Sequence, residues 1–180
     1  MHKFASAPVA FTSNGKLLAF AFEINPARAA IWDVKNGAFL TLKECKGGVL
    51  YAPFSHNGKL AVTGALKKAE LWDCANGKLT VSVPLPGGAT FVVFSPDDEI
   101  VAVAYKAEDG GHNGANILLF ESATGKEIAK YQRNERYSTI IAMAFSPDGR
   151  TLAVGGQDNK IRLFDVPVFK KGKGKDQPGR

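Results

Sequence analysis

The chain has 180 residues, with 23 lysines and arginines against 17 aspartates and glutamates, and 45% of its residues are apolar. That length suits one domain with a buried core, and the composition is globular, not disordered. No apolar run approaches a membrane span, and two cysteines cannot scaffold a fold; His2 and Lys3 ahead of a short, Pro-interrupted apolar stretch argue against a secretory signal.

In chain order, residues 1–7 form an N-terminal segment that could supply a short closing strand. The first unit, about 8–43, reads FTSNGK from Phe11, then LLAFAF, AAIWDVKNG around Trp32 and AFLTLKE. The second, about 48–83, reads FSHNGK from Phe54, LAVTGA, AELWDCANG around Trp72 and LTVSVPL. The third, about 88–132, reads FSPDDE from Phe94, IVAVAY, NILLFESATG around Phe120 and EIAKYQR. The fourth, about 139–166, reads FSPDGR from Phe145, LAVGG and KIRLFDVPV around Phe164, with no fourth strand to follow. Residues 167–180 are a basic tail too poor in apolar surface to order itself. From Lys170 onward the tail holds five bases and one acid, so +4 of the formal net charge of +6. The rest of the chain, with 18 bases and 16 acids, is nearly balanced.

The units repeat. The turn-motif phenylalanines are 43, 40 and 51 residues apart, and the second aromatics 40, 48 and 44. Both tryptophans and six of the twelve phenylalanines occupy these anchors. The apolar runs are short, rich in Val, Ile, Leu and aromatics, and bounded by turn residues, which predicts strands. In Pro147-Asp148-Gly149 the proline presets the first corner and the glycine takes a left-handed conformation. Asn14-Gly15 and Asn57-Gly58 serve similarly, and Asp98 stands where the third copy lacks the glycine. Four antiparallel strands per roughly 40 residues is the pattern of a propeller blade.

With Trp32-Asp33, Trp72-Asp73, Phe120-Glu121 and Phe164-Asp165 beside the four turn motifs, the sequence resembles the WD-repeat β-propeller family from residue 8 to 166. The best copy is AFSPDGRTLAVGGQDNKIRLFDV, Ala144 to Val166. The Gly-His dipeptide often found ahead of such blades is missing, so the family's buried His–Ser–Asp–Trp network is not carried over. The expected fold is all-β: a β-propeller of about four four-stranded antiparallel meander blades, forming a partial ring or half of a dimeric ring. Four closures follow in order: the C-terminal part of a larger propeller, two copies in an eight-bladed ring, a tight four-bladed ring, and a ring completed by another protein.

A meander blade puts its a–b and c–d turns at one end and its b–c and d–a loops at the other. Cys45 and Cys74 then lie at opposite ends, which predicts no disulfide between them. His56 and His112 are likewise separated, so the expectation is no metal site, no cofactor and no catalytic residue. The nucleophile-elbow and phosphate-loop patterns are absent. The recurring Thr12, Ser55, Ser95 and Ser146 read as turn hydrogen-bonding groups, and Gly155-Gly156 as easing packing near the axis. The segment Lys106–Asn116 reads as an insertion between strands b and c, with a ligand loop as the alternative. Its end of the blades should display a candidate partner-binding face of Arg28, Lys67, Lys68, Lys106, His112, Arg133 and Arg136. Glu23, Glu44, Glu108, Asp109, Glu135 and Asp158 are interspersed, which argues against nucleic acid except for weak contact through the basic tail.

The resemblance implies a non-catalytic protein–protein interaction scaffold for a protein or peptide partner. The alternatives are a segment that only completes a ring, as a homodimer or with missing blades, or part of a propeller hydrolase or oxidoreductase whose active site lies elsewhere. The cysteine usage fits a reducing, cytoplasmic setting.

Overall fold

A computed structural model describes residues 9–12, 14–22, 28–41, 49–51, 53–56, 59–64, 67–106, 115–131 and 139–168. The segment 1–7, the loop 107–114 and all but the first two residues of the tail lie outside them. The described residues form fifteen strands and no helix. The first sheet runs in the order β1 (Val9–Phe11), β2 (Leu17–Phe22), β3 (Arg28–Asp33) and β4 (Phe39–Thr41). The second comprises β5 (Val49–Tyr51), β6 (Lys59–Gly64), β7 (Lys68–Asp73) and β8 (Lys78–Pro84). The third comprises β9 (Ala89–Phe94), β10 (Ile100–Lys106), β11 (Ala115–Glu121) and β12 (Glu127–Tyr131). The fourth holds three described strands, β13 (Ile140–Phe145), β14 (Thr151–Gly156) and β15 (Ile161–Asp165). All pairings are antiparallel between consecutive strands, as in propeller blades.

The sheets pack in chain order through their first strands. β5 lies against β2, and β9 lies against β5 and β6 on one side and β13 on the other. No comparable packing joins the fourth sheet to the first among the described residues. Each of β5, β9 and β13 skips one residue in pairing: Leu50, Thr90 and Ile141 respectively. All three stand four residues before the motif phenylalanine, so the bulge is a feature of the repeat. A bulge bends its strand and increases the local twist.

The third sheet explains why its strands read as continuous apolar runs. One face, with Val101, Val103, Leu118 and Phe120, packs on Leu71, Val81 and Val83 of the second sheet. The other, with Ala102, Ala104, Ile117 and Leu119, packs under Met143, Leu152 and Val154 of the fourth. A strand buried on both faces has no reason to alternate. At Gly155 a Cβ would meet the Ala142 Cβ at 3.6 Å, an ordinary contact.

Candidate interaction face

At one end of the sheets the turn chemistry repeats in register. Thr12, Ser95 and Ser146 each donate a hydroxyl hydrogen bond to the side chain two residues on, at 2.8 Å to Asn14, 2.5 Å to Asp97 and 2.5 Å to Asp148. Each hydroxyl oxygen then accepts the backbone N–H that opens the next strand, at 3.0, 2.9 and 3.0 Å. The residue four after the motif phenylalanine has φ of +66° at Gly15, +60° at Asp98 and +70° at Gly149. These hydroxyls build turns, as their recurrence predicts. Hydrogen bonds from Ser146 and the Arg150 N–H hold the Asp148 carboxyl below its ordinary value.

The acid of each Trp-Asp or Phe-Glu pair closes the following turn. Asp33 accepts the N–H groups of Lys35 and Asn36, both at 2.9 Å. Asp73 accepts the Ala75 N–H at 2.8 Å and the Asn76 side-chain amide at 3.0 Å. Glu121 accepts the Thr124 hydroxyl. Glycines 37, 77 and 125 follow with φ of +68°, +67° and +76°. With those carboxylates committed to turns, the buried indole N–H of Trp72 has no acceptor among the described residues. This agrees with the absence of the family's His-linked network. Cys74, beside Asp73, is a free, buried thiol, pushed up to about 12 by burial and then by the Asp73 carboxylate. It is therefore a poor nucleophile. Cys45 lies outside the described residues.

Asp98 also does what the sequence did not announce. Its buried carboxylate reaches the neighbouring sheet's turn, accepting the His56 backbone N–H at 2.9 Å and approaching His56 Nδ1 at 3.2 Å. Its carbonyl accepts the Ser122 hydroxyl at 2.5 Å. One residue thus ties the a–b turn of the second sheet to both turns of the third. The available signal was that Asp98 departs from the glycine of its sister copies.

The opposite end carries the proposed partner face. Lys67 immediately precedes β7, Lys68 opens it and Lys106 ends β10, all three exposed. The connection between the second and third sheets runs between them. The Lys67 carbonyl accepts the Leu85 N–H at 2.7 Å, and the Lys106 N–H donates to Gly88 at 3.0 Å. Gly87 presses so close that a Cβ would lie 1.8 Å from the Lys106 carbonyl oxygen. These contacts bring the three lysines to one rim. Lys130, missed by sequence reasoning, lies one residue before the end of the edge strand β12, with its Nζ 5.9 Å from the centre of the buried Tyr105 ring. Arg28 opens β3 at that end. His112, Arg133 and Arg136 lie outside the described residues. Of the interspersed acids, Asp158 is described, and it pairs with Arg162 at 2.7 Å. Among the described residues no group of His, Cys, Asp and Glu could hold a metal ion.

The family model for the WD domain, G-beta repeat, matches residues 125–165. That span runs from the last turn of the third sheet through β12 and the whole of β13–β15. The chain carries a WD repeat over that span. It is 28% identical over 61 residues to SVP1-like protein 2 of Schizosaccharomyces pombe (strain 972 / ATCC 24843), covering 34% of this chain and 17% of that one. Two solved structures share the fold with a TM-score of 0.69. One is Kuenenia stuttgartiensis hydrazine synthase, 17% identical, with 83% of this chain and 43% of that chain covered. The other is the computationally designed Ika4 protein, 15% identical, with 92% and 94% covered. The chain thus spans less than half the length of the first two.

Proposed function

We propose that this WD-repeat chain is a non-catalytic scaffold that receives a protein or peptide on the rim carrying Lys67, Lys68 and Lys106. Arg28, His112, Arg133 and Arg136 extend the same face in sequence terms. WD repeats in general mediate protein interactions, and the observation that carries this reading is the convergence of the three lysines. Two successive repeats offer cations on one edge, held there by the tightly packed Gly87-Gly88 connection. A rim of this kind presents side chains without a backbone ordering cost, and a few anchors then carry the affinity. The likeness to hydrazine synthase is one of fold alone and brings no chemistry with it. The cysteine usage suits a cytoplasmic setting.

The test is affinity capture with the purified chain as bait, comparing wild type with K67E/K68E and K106E. A control variant, K16E/K35E, reverses charge at the opposite end. Partners lost from the rim variants and kept by the control support the reading. Identical capture by all four baits removes this face. A second reading, that the sheets complete a ring, is favoured by the apolar faces of the first and fourth sheets.

A further inference from the structure

Among the described residues two sheet faces carry exposed apolar side chains, and they match surfaces that are buried elsewhere in the same chain. Across the third sheet one row of paired residues runs Phe94, Val101 and Phe120, and it packs toward the second sheet. The equivalent row of the fourth sheet, Phe145, Leu152 and Phe164, packs toward the third. This row therefore faces the preceding sheet. In the first sheet it is Phe11, Leu18, Trp32 and Phe39, paired across all four strands. There Phe11 is 60% exposed, Trp32 37% and Phe39 55%, whereas Trp72 and Phe120 at the Trp32 position are buried.

The trailing faces show the complementary pattern. Ile117 and Leu119, three and one residues before Phe120, are fully buried beneath the fourth sheet. Ile161 and Leu163 hold the same places before Phe164 and are 78% and 70% exposed. Small residues lie beside them in the rows Ala142–Gly155–Ile161 and Ala144–Ala153–Leu163. The buried interface between the third and fourth sheets sets Phe145 and Phe164 with Ala102 and Ala104 in the same way, large residues on small.

We propose that the aromatic row of the first sheet packs on the Ile161–Leu163 face of a second copy of this chain, and reciprocally, so that two copies close a ring of eight sheets. The argument is continuity with interfaces the chain already makes. Both halves of the sheet-to-sheet contact are present, one on the first sheet and one on the fourth, and among the described residues no other sheet packs on either face. Two-fold closure satisfies both faces at once and leaves no open edge for a third copy. Eight sheets also lie within the usual propeller range. The ring places the proposed rim of each copy on one shared surface, but it does not depend on that rim binding a partner.

Light scattering during size exclusion, in reducing buffer and over a wide range of loading concentration, tests it. The wild-type chain is expected at twice 19.2 kDa. The variants I161K/L163K and F11E change exposed positions, so each is expected to keep its strand circular dichroism and to run as a monomer. Mixed in equal amounts they offer one intact aromatic row and one intact trailing face, and dimer mass returns. A wild-type monomer, an open-ended polymer, a dimer untouched by I161K/L163K, or a mixture that stays monomeric overturns the proposal. A chain closed on itself, or covered only by a different protein, falls under the first of these.

Discussion

The two ends of the sheets are built by different rules. At the turn end the same hydroxyl, the same acceptor two residues on and the same left-handed fourth residue recur in three repeats. The a–b turns of the first, third and fourth sheets each put five residues between their strands, so each turn fixes the register of the strands it joins. At the rim end the connections differ in length, and the contacts are backbone to backbone around Gly87 and Gly88. The exposed lysine side chains there take no part in those backbone contacts. The lesson is that a repeat protein can hold its fold at one end and vary its surface at the other.

The largest expected effect tests whether the rim is as rigid as its glycine suggests. Gly87→Ala places a methyl inside the Lys106 carbonyl, where only backbone movement can make room. A loss of about 3 kcal/mol or more in chemical denaturation is expected, at the upper end for overpacking. Gly88→Ala next door meets nothing within 4 Å and should cost far less. Equal losses would mean that the connection gives way, and the contrast between the ends would weaken.

Next in size is Asp98, where the turn end makes its tertiary contact. Asp98→Ala leaves the His56 N–H without its acceptor and keeps a Cβ at positive φ. The expected loss is about 2 kcal/mol. Asp98→Gly loses the same clasp but relieves the backbone, so it should retain about 1 kcal/mol more than Asp98→Ala. If the two variants are equally stable, the left-handed backbone at that position carries no strain worth counting.

That residue also marks where sequence reading stops. The strands, their order and the turn hydroxyls were legible because each is a local pattern repeated four times. Asp98 was legible as a turn residue standing in for glycine. Its reach to His56, 42 residues away, was not, since one sequence has no marker for a contact made once. The bulges at Leu50, Thr90 and Ile141 share a position but no residue type, so no letter betrays them. Gly87 was invisible for the opposite reason: a glycine in a Pro-Gly-Gly run reads as a turn whether or not a carbonyl presses on it. The lysines of the rim could be sorted to one end by topology alone, whereas Lys130 could not, because its place over Tyr105 depends on side-chain packing.

A smaller effect of opposite sign comes from the rim. Lys67 has φ of +55°, and Asn159 at the equivalent place in the fourth sheet has +58°. Asparagine tolerates that region better than lysine. Lys67→Asn should therefore stabilise the fold by about 0.5–1 kcal/mol, read as a raised unfolding midpoint. If the rim is the partner face, the same variant captures less partner while being more stable. A function lost with stability gained would separate the two roles of one position. A variant that gains neither stability nor loses capture would leave Lys67 as an ordinary surface residue.

The smallest effect lies at the turn end and appears only with pH. The Asp148 carboxyl is held below its ordinary value of 3.8, first by the Ser146 hydroxyl and then by the Arg150 N–H. A depressed folded-state value means that the ionised group adds stability above 3.8, and that this part is lost as pH falls through the lower folded value. Asp148→Asn keeps the acceptor oxygen, as Asn14 does in the first sheet, but has no charge to lose. The gap in unfolding temperature between wild type and variant should hold steady from neutral pH down to about 5 and then shrink in stronger acid. Because the side chain is fully exposed, solvent screening keeps the whole effect slight. A gap that stays constant through the acid range would show that the oxygen alone matters, and that the first and fourth turns are held by the same neutral bond.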